Sequence, residues 1–127
     1  MTRREPLSPP TILVVEDEEP VQQLVAALLD GEGYHVLVAS DGAQALALVH
    51  ADRPDLIFTD LMMPVIDGVE LCRRLRADER TRQVPIVVMT AAGRSQSEVA
   101  PADAYLAKPF DLDALLALVE SYVGPGR

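Results

Sequence analysis

The chain has 127 residues, of which 49% are hydrophobic, and this suits one domain around a single core. Its formal net charge of −9 argues against direct binding of nucleic acid, which needs clustered Lys and Arg; Arg3-Arg4 and Arg73-Arg74 are too short to reverse that balance. A single cysteine, Cys72, excludes an internal disulfide, no apolar stretch approaches the roughly 20 residues that cross a bilayer, and residues 1–10 lack the apolar core of a secretion signal. The expected setting is therefore the cytoplasm, with no membrane partner.

In chain order, residues 1–10 carry three prolines and three charges and read as a flexible N-terminal tail, with the fold beginning at Thr11. A first strand is expected at 12–15. A helix over 21–29 follows, with Leu24, Val25, Leu28 and Leu29 at spacings of three and four, stopped by Gly31 and Gly33. Residues 34–39 read as a second strand, and Asp41-Gly42 leads into a helix over 43–50 whose Ala45, Leu46, Leu48 and Val49 supply a buried face, closed by Pro54. A third strand spans 55–59. After it, the Asp67-Gly68 turn opens a helix over 68–76, with Val69, Cys72 and Leu75 on one stripe and Arg73, Arg74 and Arg76 mostly outward. Strands at 86–89 and 104–107 come next. The last helix, 112–123, has Leu115, Leu116, Val119 and Val123 as its apolar face, and 124–127 form a C-terminal tail.

Strand alternating with helix, five times over, with continuously apolar strands, indicates a parallel α/β sheet covered on both faces and joined by right-handed crossovers. Such sheets bind ligands beyond the carboxyl ends of their strands, at the switch in strand order. Glu16, Asp17, Asp60, Thr90 and Lys108 all fall at such ends. If the first and third strands are neighbours, Glu16, Asp17 and Asp60 converge at one rim. Two unit charges about 5 Å apart at an effective dielectric of about 20 repel by roughly 3 kcal/mol. A hard divalent cation would relieve that repulsion.

The runs Ile12-Leu13-Val14-Val15-Glu16-Asp17-Glu18, Pro54-Asp55-Leu56-Ile57-Phe58-Thr59-Asp60-Leu61-Met62-Met63-Pro64, Asp67-Gly68, Pro85-Ile86-Val87-Val88-Met89-Thr90-Ala91 and Lys108-Pro109-Phe110 together form a specific pattern. Over residues 11–123 the chain resembles the receiver domain of bacterial two-component response regulators, the flavodoxin-like family typified by the chemotaxis regulator. The resemblance implies a doubly wound five-stranded parallel sheet in the order 2-1-3-4-5. It implies that Asp60 accepts a phosphoryl group from a sensor histidine kinase or phosphotransfer protein in a Mg²⁺-dependent reaction, with Mn²⁺ as a substitute ion. Glu16, Asp17, Asp60 and the backbone carbonyl of Met62 would hold the metal, Thr90 would bond the phosphoryl group, Lys108 would pair with it, and Tyr105 would change rotamer with Thr90. Signalling would pass to a downstream protein or output domain. The activity would be that of a phosphoacceptor that phosphorylates and dephosphorylates only itself, not of an enzyme.

The chemistry agrees with those roles. Phosphoryl transfer needs an in-line nucleophile, a metal to neutralise equatorial oxygens and an opposing cation. Taken singly, Asp60 is a turn former, Thr90 a strand-end hydroxyl, Lys108 a solvated charge and Tyr105 a core aromatic; their company carries the functional reading. His35, His50 and Cys72 read as structural. The pattern departs between Thr90 and Lys108, where the 17 residues fall about one helical turn short of the family. The fourth helix, within 91–103, is therefore expected to be shortened or disordered. Two alternatives remain: a pseudo-receiver that is never phosphorylated, and an aspartyl phosphatase, which would need a substrate-binding cap.

Overall fold

The computed structural model describes residues 9–63, 65–91, 102–108 and 111–126. The strands are β1 (Thr11–Val15), β2 (His35–Ala39), β3 (Leu56–Asp60), β4 (Ile86–Ala91) and β5 (Ala104–Lys108). Among the described residues four helices accompany them: α1 (Glu19–Gly31), α2 (Gly42–Asp52), α3 (Gly68–Ala77) and α4 (Leu112–Val123). All strand pairs are parallel, in the order β2-β1-β3-β4-β5, as the alternation and the resemblance imply. The helix expected between β4 and β5, at 91–103, lies largely outside the described residues.

Because side chains alternate across each strand, the sheet feeds two cores. Leu13, Val15, Ile57, Ile86 and Val88 face Ala45 and Val49 of α2 and Leu71, Cys72 and Leu75 of α3. On the other face Ile12, Val14, Phe58, Val87 and Met89 meet Val25 and Leu29 of α1 and Leu115 and Val119 of α4. The chain leaves β1 to one side for β2 and returns on the other for β3, so a crevice opens between the carboxyl ends of β1 and β3.

Local chemistry sets the helix ends. Asp41, Asp67 and Asp111 cap α2, α3 and α4, each carboxylate accepting from a backbone amide in the first turn. Helix α1 carries a proline in its first turn, and it runs through Gly31 before Gly33 takes a left-handed φ of 97°. At the far end of α2, Arg53 is left-handed ahead of Pro54, which ends the helix. Pro10 is buried and its carbonyl accepts from the His35 amide, so the β1–β2 ladder reaches back one residue. At the other terminus, Tyr34 Oη donates to the Gly124 carbonyl at 2.7 Å.

The face that α1 presents differs from the sequence expectation. Leu24 is 53% exposed and Leu28 only partly buried, while Gln22, Val25 and Leu29 are the buried positions. Two adjacent stripes of α1 have apolar spacing, and the sheet selects the one through residue 25. Val25→Ala is expected to cost about 2 kcal/mol. Leu24→Gln should stay within about 0.5 kcal/mol of wild type by urea denaturation. Equal losses would place Leu24 back in the core.

Candidate functional site

Strand register assembles the site. Val15 pairs with Thr59, Asp60 with Met89 and Ala91 with Lys108, which sets Glu16, Asp60, Thr90 and Lys108 along one rim of the sheet. One carboxylate oxygen from each of Glu16, Asp17 and Asp60 lies within 4.8 Å of the others. Glu16 is fully buried, Asp60 nearly so, and Asp17 is exposed at the mouth. Lys108 Nζ lies 3.1 Å from Glu16 Oε1 and 3.3 Å from Asp60 Oδ1. The Leu61 amide also donates to Asp60 Oδ1, at 2.8 Å, and the Glu18 amide to Glu16 Oε2, at 3.0 Å.

Thr90 is buried at the end of β4, and Tyr105 is half-buried in β5 against the α2/α3 core. Met62 stands two residues beyond Asp60 with its side chain exposed. His50 lies 3.2 Å from Asp78, at the far ends of α2 and α3, and His35 is exposed on β2. Burial pushes the Cys72 thiol up to about 11, as suits a packing residue.

Three features of the site escaped the sequence reading. Gly68 does more than open α3: a Cβ there would run into the Asp60 carbonyl and the Leu61 backbone, so only glycine lets the helix start so close to the carboxylate. Gly42 likewise admits Ile66 against the first turn of α2. Between these glycines, Val65 has a φ of 68° and is 81% exposed, a left-handed conformation that costs a β-branched residue on the order of 1–3 kcal/mol. The third feature is Gln22, buried on α1 with its amide on the Glu16 and Ala39 carbonyls. Its place in the stripe that includes Val25 and Leu29 was the available signal.

Burial, foremost, and the charge of Asp60 raise the pKa of the Glu16 carboxyl, against the opposing effects of the Glu18 amide and Lys108. Burial also works against the Lys108 ammonium, but its hydrogen bond to Glu16 and the charges of Asp60 and Glu16 outweigh it, so its pKa rises. Three carboxylates against one ammonium leave two negative charges, the complement of a divalent ion. Hard oxygen donors clustered at this spacing fit Mg²⁺, which keeps several of its own waters.

A family model for the response regulator receiver domain matches residues 12–120. The DNA-binding dual master transcriptional regulator RpaA of Synechocystis is 42% identical over 116 residues, covering 88% of this chain and 48% of its own. The phosphate regulon transcriptional regulatory protein PhoB of Pseudomonas aeruginosa is 41% identical over 123 residues, covering 91% and 54%. The chain thus spans about half the length of these relatives. Among solved structures, the receiver domain of the sensor histidine kinase PA1611 from Pseudomonas aeruginosa, with magnesium coordinated in its active-site cleft, superposes with a TM-score of 0.85 at 36% identity, covering 92% of this chain and 99% of that one. The Vibrio cholerae chemotaxis protein CheY4 gives 0.83 at 29% identity, covering 91% and 99%.

The raised Glu16 pKa has a definite sign. The folded state holds that proton more tightly than the unfolded chain, so the stabilising contribution is full below the ordinary value of 4.5 and is lost as pH rises through the folded pKa. In metal-free protein, the difference in unfolding free energy between wild type and Glu16→Gln should therefore shift against wild type as pH rises from about 4.5 towards neutrality. A difference that stays flat across this range would contradict the assignment.

Proposed function

The chain belongs to the response regulator receiver domain family of two-component signalling, and on that premise we propose that it accepts a phosphoryl group on Asp60 from a sensor histidine kinase or phosphotransfer protein. The observation that carries this reading is the position of Lys108 Nζ, 3.1 Å from Glu16 and 3.3 Å from Asp60, in a rim where three carboxylate oxygens lie within 4.8 Å. Both contacts on the Asp60 carboxylate among the described residues fall on Oδ1, leaving Oδ2 to attack. An Asp60 oxygen forms the new bond to phosphorus, the bond from phosphorus to the donor imidazole breaks, and the imidazole leaves with a proton from solvent. The product is an acyl phosphate.

Glu16, Asp17, Asp60 and the Met62 carbonyl would hold Mg²⁺, or Mn²⁺ as a substitute, and the ion when bound would neutralise the equatorial phosphoryl oxygens. Lys108 then moves from the carboxylates to the incoming phosphoryl group, which brings about −1.5 to −2 charge and three strong acceptors. Thr90, at the end of β4, donates its hydroxyl to that group, and Tyr105 on β5 follows Thr90. The altered β4–β5 surface is the output, read by a downstream protein or output domain. The net charge of −9 favours a protein over nucleic acid as the direct partner of this stretch. No helix among the described residues is long and apolar enough to cross a membrane, and we place the domain in the cytoplasm. Self-phosphorylation from a small donor and self-dephosphorylation would be its only chemistry.

Intact-mass spectrometry after incubation with acetyl phosphate and Mg²⁺ tests this function. Wild type should gain about 80 Da, one phosphoryl group. Asp60→Asn and wild type with chelator should gain nothing. A metal-bound wild type that takes no adduct would leave a pseudo-receiver.

A further inference from the structure

Gln22 breaks the pattern of its own helix. The buried face of α1 runs through positions 22, 25 and 29, and the other two are Val25 and Leu29. At the first stands a carboxamide only 9% exposed, where an aliphatic side chain would pack. Its Nε2 donates to the Glu16 carbonyl at 2.9 Å and the Ala39 carbonyl at 3.2 Å, and lies 3.5 Å from Ser40 Oγ. These acceptors sit at the carboxyl ends of β1 and β2. The Glu16 amide donates to Ala39 at 3.0 Å as the last main-chain rung there, and the two N–H groups of Gln22 add a rung made by a side chain.

That rung acts on the acidic cluster through one peptide group. The Glu16 carbonyl belongs to the peptide joining Glu16 to Asp17, so a hydrogen bond on it fixes the plane from which both side chains depart. From the other side, the Glu18 amide holds the Glu16 carboxylate. Ser40 continues the connection, its amide donating to Gln44 Oε1 at 2.9 Å in the first turn of α2. Gly42, in that same turn, abuts Ile66 of the loop after Asp60. A chain of contacts thus runs from Gln22 to both loops that border the cluster.

We propose that Gln22 is a positioning residue for divalent-cation binding: by holding the Glu16–Asp17 peptide against β2, it aims the two carboxylates at Asp60 in a geometry an octahedral ion accepts. This rests on the Mg²⁺-dependent reading of the site above. Its consequence is specific, because a residue that only packs α1 on the sheet would set stability and leave cation affinity alone.

The test is the Mg²⁺ dissociation constant of the full chain, from titration of backbone amide NMR signals, for wild type, Gln22→Met, Gln22→Asn and Val25→Ala. Gln22→Met keeps length and removes the donors, and its affinity should fall roughly tenfold. Gln22→Asn keeps the amide but withdraws it by one methylene; it should lose affinity similarly, and it carries the test alone if the methionine variant does not fold. Val25→Ala loosens the same helix face and should keep its affinity within about twofold while losing stability. Wild-type affinity in the Gln22 variants overturns the positioning role and leaves the phosphoacceptor reading intact. An equal affinity loss in Val25→Ala also overturns it, as would wild type binding no Mg²⁺ at millimolar concentration, which would take the metal-dependent reading with it.

Discussion

The structure turns on the repulsion among Glu16, Asp17 and Asp60 and on the single ammonium set against it. At an effective dielectric of about 20, a cation 3.1 Å from a carboxylate gains about 5 kcal/mol of gross Coulomb energy, while carboxylates about 5 Å apart lose about 3 kcal/mol. Lys108 therefore offsets the Glu16–Asp60 repulsion and leaves the charge of Asp17 without a counterweight. A parallel sheet supplies this arrangement cheaply. Its strand ends converge on one rim by register, the Leu61 amide, shared with the Met89 carbonyl, and the Glu18 amide donate to the carboxylates there, and burial strengthens each interaction. The cluster is held together by the Lys108 cation, and on the proposed function a phosphoryl group would draw that cation away and so link the electrostatic tension to a change of surface.

The rest of the fold keeps that rim in place. Gly68 brings α3 against the Asp60 carbonyl, Gly42 brings α2 against Ile66, and the loop between carries a valine in left-handed backbone. At the opposite rim, Arg76 on α3 reaches the carbonyls of Arg82 and Val84 and pairs with Asp103, whose carboxylate also accepts from the Ile86 amide at 2.8 Å. This fastens the starts of β4 and β5, the two strands whose other ends carry Thr90 and Lys108.

Much of this was legible in the sequence, for identifiable reasons. The central runs of β1, β3 and β4 are buried on both faces and have no polar alternation to confuse them, and the last helix matches 112–123 at both ends because Asp111 caps it and Gly124 stops it. The convergence of Glu16, Asp17 and Asp60 followed from assuming that β1 and β3 are neighbours, which they are. What failed was whatever depends on rotation or close approach. Periodicity on α1 fits two stripes, and only the sheet rejects Leu24. Counting apolar residues discards Gln22 because it is polar, although its burial is what matters. The Arg76–Asp103 pair spans 27 positions and exists only through topology. Nothing local in Val65 announces a positive φ.

The central claim is that Asp60 is an electrostatic burden in the metal-free domain and the anchor of its cation. Urea denaturation of wild type and Asp60→Asn, each without Mg²⁺ and at ten times the wild-type dissociation constant, tests it most directly. Without Mg²⁺ the variant should be the more stable of the two. With Mg²⁺ the wild type should gain about 1.4 kcal/mol, and the variant much less at the same concentration. A metal-free variant less stable than wild type, or an equal gain from Mg²⁺ in both proteins, would contradict the account.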